Sequence, residues 1–151
     1  MHQRHAALSA LCLLLALAAA TEAMGAAKHF RATAEHFNEY ATKAADLYFK
    51  TESAPEKNIL SHLTAMCAIY AEKANGLARM ADVAEHMTAK RDAVYVAERL
   101  REMRASVLAS LPQDTKLLAE LVENQENQGL RQLGVLVVTE LRVFERNTQN
   151  L

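Results

Sequence analysis

The chain of 151 residues is 51% apolar, 23% charged and only 5% aromatic, with no Trp, and 17 basic against 18 acidic side chains leave a net charge of −1. That length suits one domain with little room for a second, and four Gly and two Pro are too few for a strand-and-turn, collagenous or low-complexity chain. The charge balance argues against a nucleic-acid partner, and two cysteines cannot build a disulfide scaffold.

The first segment, MHQRHAALSALCLLLALAAATEA, has the pattern of a secretory leader. Arg4, His2 and His5 make a basic start, and Ala6–Ala20 then runs without a charge through six leucines. As a helix this stretch spans about 22 Å, short of a bilayer core of about 30 Å. Small residues follow at cleavage-compatible spacing, so residues 1–23 are expected to be removed after Ala23, or after Ala20. Leu11 stands where a lipid-modified Cys12 needs a small residue. Residues 24–151 then form a single helical domain with one cysteine, Cys67, and the expected compartment is periplasmic or secreted. No integral membrane span is expected after cleavage.

From Lys28 onwards the apolar residues keep a helical period. Phe30, Ala34, Phe37, Ala41, Ala44 and Tyr48 mark a first helix from about Ala26 to Glu52. Leu60, Leu63, Cys67, Tyr70, Ala74, Leu77, Ala81 and Ala84 mark a second. Alternating steps of three and four set one stripe along each helix and favour near-antiparallel neighbours. Between the two, Ser53-Ala54-Pro55-Glu56 reads as a capping box with Pro in the first turn. Ser110-Leu111-Pro112-Gln113 has the same form, and predicts that the last helix starts near Leu111.

The stretch between the two boxes is too long for one helix of ordinary length. The apolar frame slips at Thr88–Asp92 and restarts at Ala93, Val96, Leu100, Met103 and Val107, which predicts a break near residues 86–92. Asn75-Gly76 is a second place for it, and an unbroken rod is a third. The expected fold is an all-α, antiparallel up-and-down bundle of four helices, or of three with one long middle helix. In the last helix, the polar run Glu123–Gly129 predicts either a kink at Gly129 or amides that find polar partners in the bundle. The following LRQLGVLVVTELRVF is apolar on more than one face and is expected to be the most buried part.

Bundles hold metals or haem when His, Met, Glu or Cys point inward from facing helices. Here the heptad puts His29 and His36 in one outward column with Lys43 and Lys50, and places His62 and His86 outside as well. A metal- or haem-binding carrier is the alternative function, with His62 and Met66, one turn apart, as the ligands. No cofactor is expected otherwise. Cys67 falls on the seam and reads as an inert core thiol. Glu35, Glu39, Asp82 and Glu85 lie among Lys and Arg at helical spacing, as in surface pairing. The cluster Lys90, Arg91, Arg99, Arg101 and Arg104 is offset by Asp92, Glu98 and Glu102.

No nucleophile elbow, phosphate loop, zinc-protease motif or dinucleotide fingerprint is present, and no catalytic residue is assigned. The expected function is protein–protein interaction, of the adaptor, inhibitor, immunity-protein or chaperone type, with an unknown protein partner or a second copy of the chain. Ile59, Met66, Met80 and Met87 flank the main seam in a column interrupted by Lys73. That column receives another helix, its own or a partner's. A membrane-surface helical protein is a further alternative, weakened by the near-zero net charge.

Overall fold

The computed structural model describes the backbone of residues 2–87 and 90–151 and the side chains of residues 25–87 and 92–151. The side chains of the expected leader lie outside that set, as do Thr88 and Ala89 in the expected central break. The described residues form four helices and no strand: α1 (His2–Lys50), α2 (Ala54–His86), α3 (Lys90–Glu123) and α4 (Gln128–Gln149). They pack as an all-α bundle. α1 and α2 make a long hairpin, α3 returns along α2, and α4 lies against α3 and α1 while also touching α2 across the bundle.

The heptad read from the sequence is the core. Phe30, Ala34, Phe37 and Ala44 of α1 are buried against Leu60, Leu63, Cys67, Tyr70, Ala74 and Leu77 of α2. Alanines on both seams let the two helices come close, and larger side chains from α4 fill the space beside them. The centre is aromatic. Phe144 of α4 has its ring centroid 5.9 Å from Phe30, 6.1 Å from Phe37 and 6.2 Å from Tyr70, each pair near edge-to-face. This is the arrangement favoured by ring quadrupoles.

The break predicted at residues 86–92 is present: α2 ends at His86 and α3 begins at Lys90. α2 runs unbroken through Asn75-Gly76, where the 3-4 spacing also continued. The Ser53 box is half formed. Ser53 Oγ accepts from the Glu56 amide at 3.4 Å, but the Glu56 carboxylate does not reach back to the Ser53 amide, which donates instead to Thr51 Oγ1 at 3.2 Å. Glu56 Oε2 accepts from Thr51 Oγ1 at 2.6 Å and from Asn127 Nδ2 at 2.9 Å. One carboxylate therefore ties the α1–α2 turn to the α3–α4 turn.

Two boundaries differ from expectation. α1 begins at His2, well before Ala26, and ends at Lys50. The larger correction concerns the last helix, which does not start near Leu111. α3 runs straight through Pro112 to Glu123. The proline removes one helical hydrogen bond, leaving the Leu108 carbonyl without its usual donor. Tertiary packing outweighs that loss, because Val96, Val107, Leu111, Thr115, Leu118 and Val122 form one buried stripe across the proline. Ser110 caps nothing; its hydroxyl bonds to α2, as described below.

The true break is the polar run. Gln125 Nε2 donates to the Leu121 carbonyl at 2.7 Å and closes the end of α3. Asn127 caps α4 by accepting from the Leu130 amide at 3.1 Å. The amides do meet polar partners, but at a turn and not inside the bundle.

α3 and α4 are antiparallel and unequal in length. Gly134 of α4 faces Val122 of α3 so closely that a β-carbon there would lie 2.7 Å from Val122 Cβ. At the other end of α4, Arg104 donates to the Gln149 carbonyl at 2.7 Å. The turns of α3 before Arg104 thus project past the end of α4, an overhang of about 20 Å. Val94 and Tyr95 on it are 69% and 68% exposed.

Candidate functional site

The histidines sit where the heptad put them. His29, His36, His62 and His86 are all exposed. His62 and Met66 do not converge into one pocket, since Met66 is buried in the core cluster while His62 is exposed. Among the described residues no group of three or more His, Cys, Asp or Glu is placed to hold a metal ion. Cys67 is fully buried, and burial pushes its thiol up to about 12 from an ordinary value of 9.0. A thiol that stays protonated is a poor nucleophile and a poor ligand.

Within the Met column, one member reaches α3. Lys73, the polar member of the column, donates to Ser110 Oγ of α3 at 3.0 Å. Met66 belongs to the core and Ile59 packs against it, while Met80 and Met87 are half-buried.

Two polar clusters escaped the sequence reading. In the first, Lys73 reaches Ser110 Oγ, that hydroxyl lies 3.3 Å from Tyr70 Oη, and Tyr70 donates in turn to Asp114 Oδ2. All the bonds can point one way, from the ammonium through two hydroxyls to the carboxylate, so every member is satisfied. Burial and the bond to Asp114 hold the Tyr70 phenol above its usual range. Ser110 lies within a continuous helix, where neighbouring amides are used by the helix itself, so no oxyanion donors surround it. The cluster pins α2 to α3.

In the second cluster, His36 Nδ1 lies 3.0 Å from Glu140 Oε2, an acid almost fully buried on α4. Burial, followed by the charge of Glu140, raises the Tyr40 phenol as well. The i, i+4 and i, i+3 patterns report contacts along one helix only, so neither cross-helix cluster left a signal in the spacing.

The surface that the core does not use lies along α4. Leu130, Leu133, Val137, Leu141 and Phe144 face inward and are buried, as expected for the most apolar segment. Two apolar residues of α4, on opposite flanks of it, are not covered: Val135 is 54% exposed and Leu136 45%. Beside Val135, α3 and α4 enclose an open groove of about 400 Å³ with Ala119, Val122, Val135 and Val138 as its apolar lining. Arg131, Arg142, Thr139 and Glu123 stand on its rim. Gly134 makes this shape, because its missing side chain brings the α4 backbone onto Val122.

On the opposite flank of α4, Leu136 borders a second hollow with Leu47, Leu133, Lys43 and Lys50. Among the described residues no helix is long and apolar enough to cross a membrane. No protein family, curated protein or solved structure matches this chain.

Proposed function

We propose that this chain is an exported helical bundle that works by binding another protein, in the manner of an adaptor, inhibitor, immunity protein or chaperone. The observation that carries the reading is the apolar groove between α3 and α4 onto which Val135 opens. Val135 is exposed on a helix whose inward face is engaged in the core, and it opens onto a groove with an apolar floor formed with Ala119, Val122 and Val138. A single exposed apolar residue is ordinary, whereas one that opens onto an apolar-floored groove marks a surface a partner covers. The polar clusters are consistent with the same reading, because their groups satisfy one another across helices.

Export rests on the leader pattern of residues 1–23. N-terminal sequencing of protein from the envelope fraction is expected to begin at Met24 or Thr21, and a chain retaining Met1 would refute export. Binding is tested by capture from that fraction with wild-type protein and with Val135→Asp, a change at an exposed site whose urea midpoint is checked alongside. The same companion is expected with wild type and not with the variant. Equal capture by both would exclude this face.

A further inference from the structure

We infer that the α3–α4 groove takes an acidic amphipathic helix, with carboxylates about three turns apart gripped by Arg131 and Arg142. The inference rests on the binding function proposed above and names the chemistry of the partner. On α4, Arg131, Val135, Val138, Thr139 and Arg142 follow one another at i, i+4, i+7, i+8 and i+11, which places them on one face. The two guanidiniums therefore bracket the valines over about 16 Å. Both arginines are exposed, and neither forms an ion pair among the described residues.

The one acid lining the groove is Glu123, and Glu120 on the same stretch of α3 is occupied by Lys116 at 3.9 Å. The groove lining thus has a net positive charge despite the chain's overall −1. A trough between two helices, apolar along its floor and three turns long, is the shape that receives a helix's apolar stripe. The positive ends select carboxylates on its flanks.

Charge also decides against a second copy of the chain as occupant. Two copies meeting at Val135 and Val138 through a two-fold axis across α4 bring Arg131 of one against Arg142 of the other. An axis along α4 sets each arginine against its own equivalent. Either symmetry pairs like charges.

The test uses two synthetic 18-residue helical peptides on the full mature chain, read by fluorescence anisotropy at low salt. Both carry the same Leu stripe; one has Glu at two positions eleven apart beside it, the other Lys there. The Glu peptide is expected to bind at least about tenfold more tightly, the effect of two partly screened pairs turned from attraction to repulsion. The preference should invert in Arg131→Glu/Arg142→Glu and shrink as salt rises.

Equal binding of the two peptides, or a preference that survives the charge reversal, would overturn the acidic partner. If Val135→Asp still abolishes capture of the natural companion, the binding face itself stands. A dimer in sedimentation that Val135→Asp dissolves would overturn the inference in favour of self-association. Flotation with anionic vesicles lost in the arginine variant would overturn it in favour of a lipid surface.

Discussion

Two glycines in helix interiors respond in opposite ways to the same substitution. A β-carbon at Gly134 meets Val122 at its Cβ and both methyls. Val122 is β-branched and buried, so its χ1 is stiff and its neighbours hold it in place. Gly134→Ala is expected to cost about 1–3 kcal/mol, as overpacking does, and to lower the urea midpoint. A β-carbon at Gly76 meets only Met103 Cε, the end of a flexible chain, at 2.7 Å. Gly76→Ala gains about 0.5–1 kcal/mol of helix propensity, and its midpoint should hold or rise.

Cys67 makes a third case at this scale. Its thiol is raised in the fold, so the stability it contributes is complete below its ordinary value of 9.0 and is lost as pH climbs towards about 12. Tyr70 is raised too, and its contribution drains away above its own ordinary value of 10.0. Urea midpoints should fall above pH 9, and the fall between pH 9 and 10 should be shallower in Cys67→Ala.

At the scale of the element, Asn127 does two jobs with one side chain. Its Oδ1 caps α4 through the Leu130 amide, and its Nδ2 reaches Glu56 in the opposite turn. Asn127→Ala should cost about 1–2 kcal/mol, the usual toll of a lost cap plus a bond. Asn127→Ser keeps the cap but is too short for Glu56, so thermal melts should place it between wild type and Asn127→Ala.

The boundary that Asn127 sets was legible only in part. The polar run at residues 123–129 marks an irregularity, yet the capping pattern Ser110-Leu111-Pro112-Gln113 is the stronger local signal. A capping box is a local pattern, satisfied by four residues, while a helix end is decided by what those residues meet elsewhere. Ser110 meets Lys73 and Tyr70, and Leu111 is fully buried. The stripe that opened at Val96, Leu100, Met103 and Val107 continues through Leu111, Thr115, Leu118 and Val122; Thr115 hid the continuity by being polar. Its hydroxyl is satisfied by the Leu111 carbonyl at 2.7 Å. On α1 and α2 the period had no such interruption, and the sequence reading and the fold agree there from Phe30 to Ala81. The groove was not legible at all, because a last helix starting near Leu111 puts Ala119 and Val122 on the same helix as Arg131 and Arg142, whereas in the fold they face each other across two helices.

For the whole molecule, the aromatic centre concentrates cohesion in one residue. Phe144 from α4 is the ring around which Phe30 and Phe37 of α1 and Tyr70 of α2 gather. Phe144→Ala leaves a cavity bordered by three helices and is expected to cost about 3–5 kcal/mol, a large share of the stability of a domain this size. Equilibrium unfolding should show it as the most damaging single truncation in α4, well beyond Val135→Ala on the outer face. The chain thus uses one side of α4 to hold itself together and keeps the other free of that duty, so the outer face can change without endangering the fold.

The Glu56 carboxylate gives the bundle a polarity. Both turns at its end are clasped by one acid, whereas at the far end α3 overhangs α4 with Val94 and Tyr95 in water. Thermal breathing should therefore start at the overhang and die out toward the clasp, a gradient that native-state amide exchange reads directly. A molecule that loosens from one tip only can yield there to a visitor while its opposite tip keeps the helices in step.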